Sequence, residues 1–446
     1  MKRKIAAAAA LATVLTAAAC SSSSTGTSSS APQSALSTDG KGKTINVWIM
    51  QDAENGWPAV VNAAKKEFTA ETGAKVNVQW QTWTNYSTKL DTALLSGNAP
   101  DMLELGNTQT AKYIAANAFV DLTSVKGKFD NSASWLDSLA ASGQSADGKQ
   151  TFAVPYYAGA RVLIYRKDLF AKAGVTAAPT TLDELSADLQ KVKDANKAKP
   201  NFSALYLPGM DWYTAVSFGA GSFGTQGVIA KSDGKTFTGT LTDPNFISGI
   251  NTWNTLQKNF SVGGQTVNES NQDALMAKGN IAAIVGNAWE AGSVTSSAPG
   301  SGGNPALAAD LATIALPGTT AGQPTPAFLG GSDLAVPAHA KNPGLGAEFL
   351  RIFTDTAQQT TLSKFAIPNN KTLIPAFEAA SPGNKAAGDA ALGKTWFIPN
   401  SPYWSQTSDE TALQNAFSAI ATGKQDAAAA LGDAQKTIVT DLNSAN

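Results

Sequence analysis

The chain has 446 residues, 43% of them hydrophobic, and a formal charge of −1; without the basic leader Lys2, Arg3 and Lys4 the balance is about −4, which argues against nucleic acid or anionic lipid as the main partner. About 400 residues of such composition exceed one ordinary core, so two domains of mixed α and β structure are expected. One cysteine, Cys20, rules out an intrachain disulfide, and one histidine, His339, in the proline-flanked loop VPAHAKNPG, leaves a zinc site, a Ser-His-Asp triad or a histidine base without ligand-spaced neighbours.

Lys2, Arg3 and Lys4, the apolar run Ile5 to Ala19 and the small residues at its end follow the order of a secretory signal peptide, assigned to 1–19. The run is shorter than the roughly 20 residues a membrane-crossing helix needs. Cys20 follows it directly and resembles the acylated cysteine of a bacterial lipoprotein, although Ala17 stands where that motif usually carries leucine. Residues 20–42 then read as a lipid anchor and a flexible Ser-rich linker, about 25 Å in average reach.

The folded part opens with the strand TINVWIM, Thr44 to Met50, and a helix with Val60, Val61, Ala64 and Phe68 on one face and Gly73 as its stop. KVNVQW is a strand, NYSTKLDTALLSGNAPD a helix facing inward with Tyr86, Leu90, Ala93 and Leu94, DMLEL a buried strand, and TAKYIAANAF a helix. This alternation predicts a parallel α/β sheet with ligand beyond the carboxyl ends of its strands. The residues there are Gln51, Asp52 and Glu54, then Thr82 and Trp83, then Gly106, Asn107, Thr108 and Gln109, a mixture suited to hydroxyls more than to phosphate.

Further on, VPYYAGARVLIYRKDLF (154–170) is a long strand running into a helix, and TLDELSADLQKVKDA is a helix with the Thr181/Glu184 capping-box spacing. WYTAVSFGAG reads as a helix ending in glycines and GKTFTGTLTDP as a hairpin. IAAIVGNAWEAG is a buried strand breaking into a loop, and Gly292 to Asn304 a surface loop. FLGGSDLAVPAHAKNPGLGAEFLRIFTD gives a strand, a loop and a helix with Ala347, Leu350 and Phe353 inward, and two helices separated by Gly423 close the chain.

Two phosphate-binding patterns fail in context. GDAALGKT (388–395) fits the P-loop spelling, but no strand precedes it and the prolines of WFIPNSPYW forbid the helix it must open. GAGSFG (219–224) fits GxGxxG but leads into turn-rich sequence, so these glycines read as a helix end and a close backbone approach.

In order and spacing, SGNAPDMLELGN, VPYYAGARVLIYRKDLF, AAIVGNAWEAG and FLGGSDLAVPAHAKNPGLGAEFL resemble the extracellular solute-binding proteins of sugar ABC importers, the maltose-binding-protein-like family. The resemblance implies an α/β, two-lobed periplasmic-binding-protein-like fold, each lobe a sheet flanked by helices, joined by crossing hinge strands. Lobe one would be 43–158 plus 328–372 and lobe two 159–327 plus 373–446, with the strand around Arg161 and AFLGGSDLAV as crossings. It further implies a monomer with no cofactor, a sugar ligand, permease subunits as partners, and contact with the membrane through the lipid anchor only.

A sugar site needs flat aromatics for ring faces and polar groups around the rim. By position the resemblance nominates Asp52, Trp83, Asn107 and Thr108 from the first lobe, Trp212, Tyr213, Trp289 and Glu290 from the second, Gly331 and Ser332 near a crossing, and Trp396 and Trp404 as a cap. Trp48, Trp135 and Trp253 read as core, and Arg161 as an ion-pair partner fixing the crossing strand more than as a ligand group. Aromatic richness favours a di- or oligosaccharide, with N-acetylglucosamine and chitobiose among the first candidates. Two other readings stand: a glycoside hydrolase using two of Asp52, Glu54, Asp101 and Glu104, and a sugar-sensing surface lipoprotein.

Overall fold

The computed structural model describes residues 36–297, 302–381, 383–404 and 408–444. The signal peptide, Cys20 and most of the linker lie outside the described residues. Residues 36–42, assigned above to the linker, already pack on the fold: Leu36 lies against the first core, Ser37 N–H donates to the Gly344 carbonyl at 3.1 Å, and Gly40 N–H donates to that of Thr72 at 3.0 Å.

Eleven strands are described: β1 Thr44–Met50, β2 Lys75–Gln81, β3 Met102–Gly106, β4 Ala153–Arg166, β5 Ala230–Ser232, β6 Phe237–Gly239, β7 Ala283–Asn287, β8 Leu311–Ile314, β9 Ala327–Ala335, β10 Ile367–Pro368 and β11 Thr395–Trp396. As the βαβ pattern requires, β1 pairs in parallel with β2 and with β3. The sheet is nevertheless mixed, because β9 enters antiparallel between β3 and β4 in the order β10-β4-β9-β3-β1-β2.

β4 and β9 are the long elements of the architecture. Over residues 153–160 β4 pairs with β9, and from Arg161 onward it pairs with β7 and β8 instead. The apolar packing follows the same division. β4 gives Val154, Tyr156 and Tyr157 to a core built on the helices Pro58–Thr72 and Pro343–Phe353. It gives Leu163 and Tyr165 to another, built on the helices Leu182–Ala195, Trp212–Phe223, Pro244–Phe260, Asp409–Ala421 and Ala427–Leu442. β9 does likewise, with Leu334 in the first core and Phe328 in the second. Each of these two strands therefore passes from one core into the other.

Local signals place the helices. Gly73 closes Pro58–Thr72 at φ 72°, a conformation that favours glycine. Thr181 accepts the Glu184 N–H at 3.1 Å, as the capping box predicts, but the Glu184 carboxylate reaches back to the Thr180 N–H at 2.7 Å, one residue early. Of the GxGxxG glycines, Gly219 and Gly221 lie in the last turns of the helix Trp212–Phe223 and Gly224 caps its end at φ 114°. Their use is packing: a Cβ on Gly219 would sit 2.3 Å from the Phe246 ring, and one on Gly249 would sit 2.2 Å from the Phe218 carbonyl oxygen, so two bare helix faces cross here. Gly249→Ala is therefore expected to cost about 1–3 kcal/mol by overpacking against backbone, read as a lower denaturant midpoint at unchanged slope.

The P-loop look-alike also falls on helix, with Gly388 inside Asn384–Leu392. Pro244–Phe260 itself carries no assignment in the sequence reading. Its Asp-Pro start and inward Phe246, Ile250, Trp253 and Phe260 are nonetheless ordinary helix signals.

Candidate functional site

A cavity of about 590 Å³ opens where β4 and β9 cross. Trp83, Gly106, Asn107 and Thr108, at and beyond the ends of β2 and β3, line one side. Met210 to Tyr213, Asn268 to Ser270, Asn287, Trp289, Glu410 and Gln414 line the other, while Gly159, Arg161, Phe328, Gly330 and Gly331 contribute from the crossing strands and their start. The carboxyl ends of the parallel strands thus face the cleft, as the sheet rule requires.

Two tryptophans of the cleft are half exposed, Trp83 at 45% and Trp289 at 46%, against 0% for Trp253 and 3% for Trp135. Trp83 is held by its indole N–H, which donates to Asp52 Oδ2 at 2.7 Å, and by an edge contact with Tyr86. Asp52 thereby serves as the brace of a platform and does not itself line the cavity. Asn107 is tied to β9, its N–H donating to the Gly331 carbonyl at 3.0 Å, which fixes the rim.

Across the cleft, Asp211 caps the helix Trp212–Phe223 by accepting the Thr214 N–H at 3.2 Å. Tyr213 lies on Trp212 with ring centroids 4.0 Å apart and carries the Arg161 guanidinium over its face at 4.3 Å. Arg161 donates through Nε to Glu269 Oε2 at 2.9 Å and through a second nitrogen to Oε1, with Asp211 Oδ1 3.9 Å away. The guanidinium is thus committed within the protein, as the ion-pair reading of Arg161 expected.

Besides Asp52, four nominated residues are not placed in the cleft. Glu290 is buried beneath Trp289, where its carboxylate accepts the Asn287 N–H at 2.8 Å and the Gln272 amide at 2.9 Å; it holds the turn that presents the tryptophan. Ser332 is buried on β9 beside Glu104 and Tyr157, although Gly330 and Gly331 just before it line the cavity. Trp396 donates its indole N–H to Ser217 at 2.9 Å inside the second core, and buried Trp404 packs at a tilt on Trp212, so neither caps the opening. Both are aromatic because they fill the space behind Trp212.

The sequence reading missed Asp211, Glu269, Asn287, Gly159 and Glu410. Glu269 sits in the loop NESNQ, which carries no periodic signal. Glu410 lies in a closing helix whose role in the site no local pattern announces.

Of the carboxyls proposed for hydrolysis, Asp101 and Glu104 join Asp52 in holding other partners. Asp101 accepts the Asn46 N–H at 2.9 Å and the Asn342 N–H at 2.7 Å, and Glu104 accepts the Met50 N–H at 2.9 Å. Burial pushes Glu104 up to about 7, against the hydrogen bond from Met50. Burial likewise lifts Asp333 to about 7 and Glu290 to about 8, the latter helped by the charge of Glu269.

These shifts have a definite sign. A carboxyl whose folded pKa exceeds its unfolded value near 4 binds its proton more tightly when folded, so its stabilisation is complete below that value and is lost as pH rises through about 7 to 8. The melting temperature is therefore expected to be higher at pH 5 than at pH 8.5. Glu104→Gln and Asp333→Asn should each flatten that slope in calorimetric scans, and an unchanged slope would count against these assignments.

Residues 50–360 match the family described as bacterial extracellular solute-binding protein. The chain belongs to that family. This solute-binding protein is 33% identical over 408 residues to the diacetylchitobiose binding protein DasA of Streptomyces coelicolor, with 90% of this chain and 89% of the relative covered. A probable ABC transporter-binding protein of Deinococcus radiodurans is 28% identical over about half of each chain. Among solved structures, the GacH receptor of Streptomyces glaucescens, solved unliganded and with acarbose, superposes with a TM-score of 0.72 at 20% identity over 90% of this chain and 98% of that one. A cyclo/maltodextrin-binding protein complexed with maltotetraose gives 0.71 at 20% over the same shares. These structural likenesses carry the two-lobed α/β fold. Among the described residues no helix is long and apolar enough to cross a membrane, and no group of three or more His, Cys, Asp or Glu is placed to hold a metal ion.

Proposed function

We propose that this protein captures a neutral di- or oligosaccharide between its lobes and delivers it to the permease of an ABC importer without cleaving it, with N,N′-diacetylchitobiose as the first candidate. The observation that carries the reading is the pair of half-exposed tryptophans, Trp83 and Trp289, in one cavity with polar groups around them. The 33% identity to DasA supports the choice of candidate.

The exclusion of a sugar acid follows from charge. Among the described residues lining the cleft Arg161 is the one cation, and its bonds go to Glu269 and Asp211, so a sugar acid finds no free partner. Asp52, Asp101 and Glu104 are each engaged by an indole or a backbone amide, which supports a binding role over hydrolysis. Closure would pivot on β4 and β9, the two strands that pass between cores. In this reading the lobes divide as 43–158 plus 328–372 and 159–327 plus 373–446, and Cys20 anchors a monomer on the outer face of the cell membrane.

The test is calorimetric titration of Ser21–Asn446 with mono- and disaccharides, followed by product analysis. Micromolar or tighter binding of a neutral sugar with no cleavage is expected. Silence across the panel, or any hydrolysis, would overturn the reading.

A further inference from the structure

Each exposed cleft tryptophan lies against a glycine. A Cβ on Gly106 would rest 3.8 Å from Trp83 Cζ3, an ordinary contact. A Cβ on Gly159 would lie 2.5 Å from Trp289 Cη2, 2.6 Å from its Cζ3 and 2.8 Å from Asn287 Oδ1. No rearrangement short of moving the indole makes room for that atom.

The backbone does not require glycine at this point. Gly159 is not among the residues of positive φ, and it pairs with Gly330 in the regular ladder between β4 and β9. Alanines occupy 158 and 160 on either side. Only space explains why a side chain would be excluded at 159.

A turn brings the indole there. β7 runs antiparallel to β4 and ends at Asn287, opposite Arg161. The turn at 288–289 that leads into the helix Glu290–Val294 lays the Trp289 ring over Gly159. Glu290, bonded to the Asn287 N–H and to Gln272, holds the turn in place.

We infer that Gly159 is a positioning residue of the sugar site: its missing side chain is the seat that sets the height and tilt of the Trp289 platform, on the strand that joins the two lobes. This rests on the sugar-binding reading for its effect on affinity, but the seat itself is a property of the ligand-free protein. The methyl of Gly159→Ala would meet the outer edge of a half-exposed ring that can swing away, so the fold should survive while the platform moves.

The test has two arms. Fluorine NMR of the protein labelled with 5-fluorotryptophan has ten tryptophan positions to report; the resonance lost in Trp289→Phe is that of Trp289, and in Gly159→Ala it should shift more than any other. A shift no larger than those of the remaining tryptophans would overturn the seat, with no sugar involved. In the second arm, titration with N,N′-diacetylchitobiose should show Gly159→Ala weakening binding about tenfold in the native background and less than twofold in Trp289→Ala. An equal loss in both backgrounds, or none in either, would mean that Gly159 does not act through Trp289.

Failure of the unaltered protein to bind the disaccharide would sink the sugar reading while leaving the NMR arm decisive. Should Gly159→Ala alone not fold, recovery of the fold in Gly159→Ala/Trp289→Ala would support the contact, and failure of both would overturn it.

Discussion

Trp289→Ala is expected to weaken disaccharide binding by about 2 kcal/mol, roughly thirtyfold in Kd, while leaving the melting temperature close to that of the native protein. Both halves follow from exposure. At 46% exposed, the indole contributes little to the core, so truncation leaves no internal cavity. The same exposure leaves a flat apolar face available for the C–H face of a sugar ring, held by Glu290 below and Gly159 behind. Trp253→Ala should give the opposite result. That side chain is fully buried against Phe417, so its loss costs about 3–5 kcal/mol of stability and no intrinsic affinity. Calorimetric titration and thermal unfolding of the two variants, side by side, check the contrast; unchanged affinity in Trp289→Ala would remove it from the site.

The contrast between these tryptophans also marks how far the sequence can be read. Trp253 sits in an apolar period that predicts burial, and Trp289 sits between Gly286 and Gly292 in a strand-to-loop break that predicts exposure. Trp396 and Trp404 sit in a proline-rich segment with no period at all, which reads as a cleft-covering loop. They are buried because tertiary packing, not local pattern, decides their fate. Strand ends were legible for the same reason that the strands were: an apolar run that stops shows where side chains begin to face the ligand. The polar network of Arg161, Glu269 and Asp211 was not, since its members are 50 or more positions apart and nothing local pairs them. Ser332 is buried next to a glycine that lines the cavity, a difference between chain neighbours that a nomination by motif ignored.

That network makes the second large prediction. Arg161→Met should destabilise the protein by about 3–5 kcal/mol, because it leaves Asp211 and Glu269 buried or half-buried with no cation between them. Methionine keeps much of the apolar stem, so the loss reports charge more than volume. The deficit should depend on pH. Arg161 is what lowers the proton affinity of buried Asp211, so without it Asp211 binds its proton more tightly in the folded state, and the variant approaches the native protein in acid and falls further behind as pH rises through neutrality. Adding Asp211→Asn and Glu269→Gln removes the stranded charges and should recover most of the stability, by replacing the ionic cluster with neutral polar groups. The triple variant then separates structure from recognition, even if Arg161→Met alone fails to fold. Sugar affinity within a few-fold of native in a stable triple variant would mean that Arg161 acts by fixing the wall on which Tyr213 stands. A triple variant as stable as the native protein but blind to the sugar would make the guanidinium itself, or one of its two carboxylate partners, a ligand contact, and the neutral-cleft argument would have to be rebuilt around it.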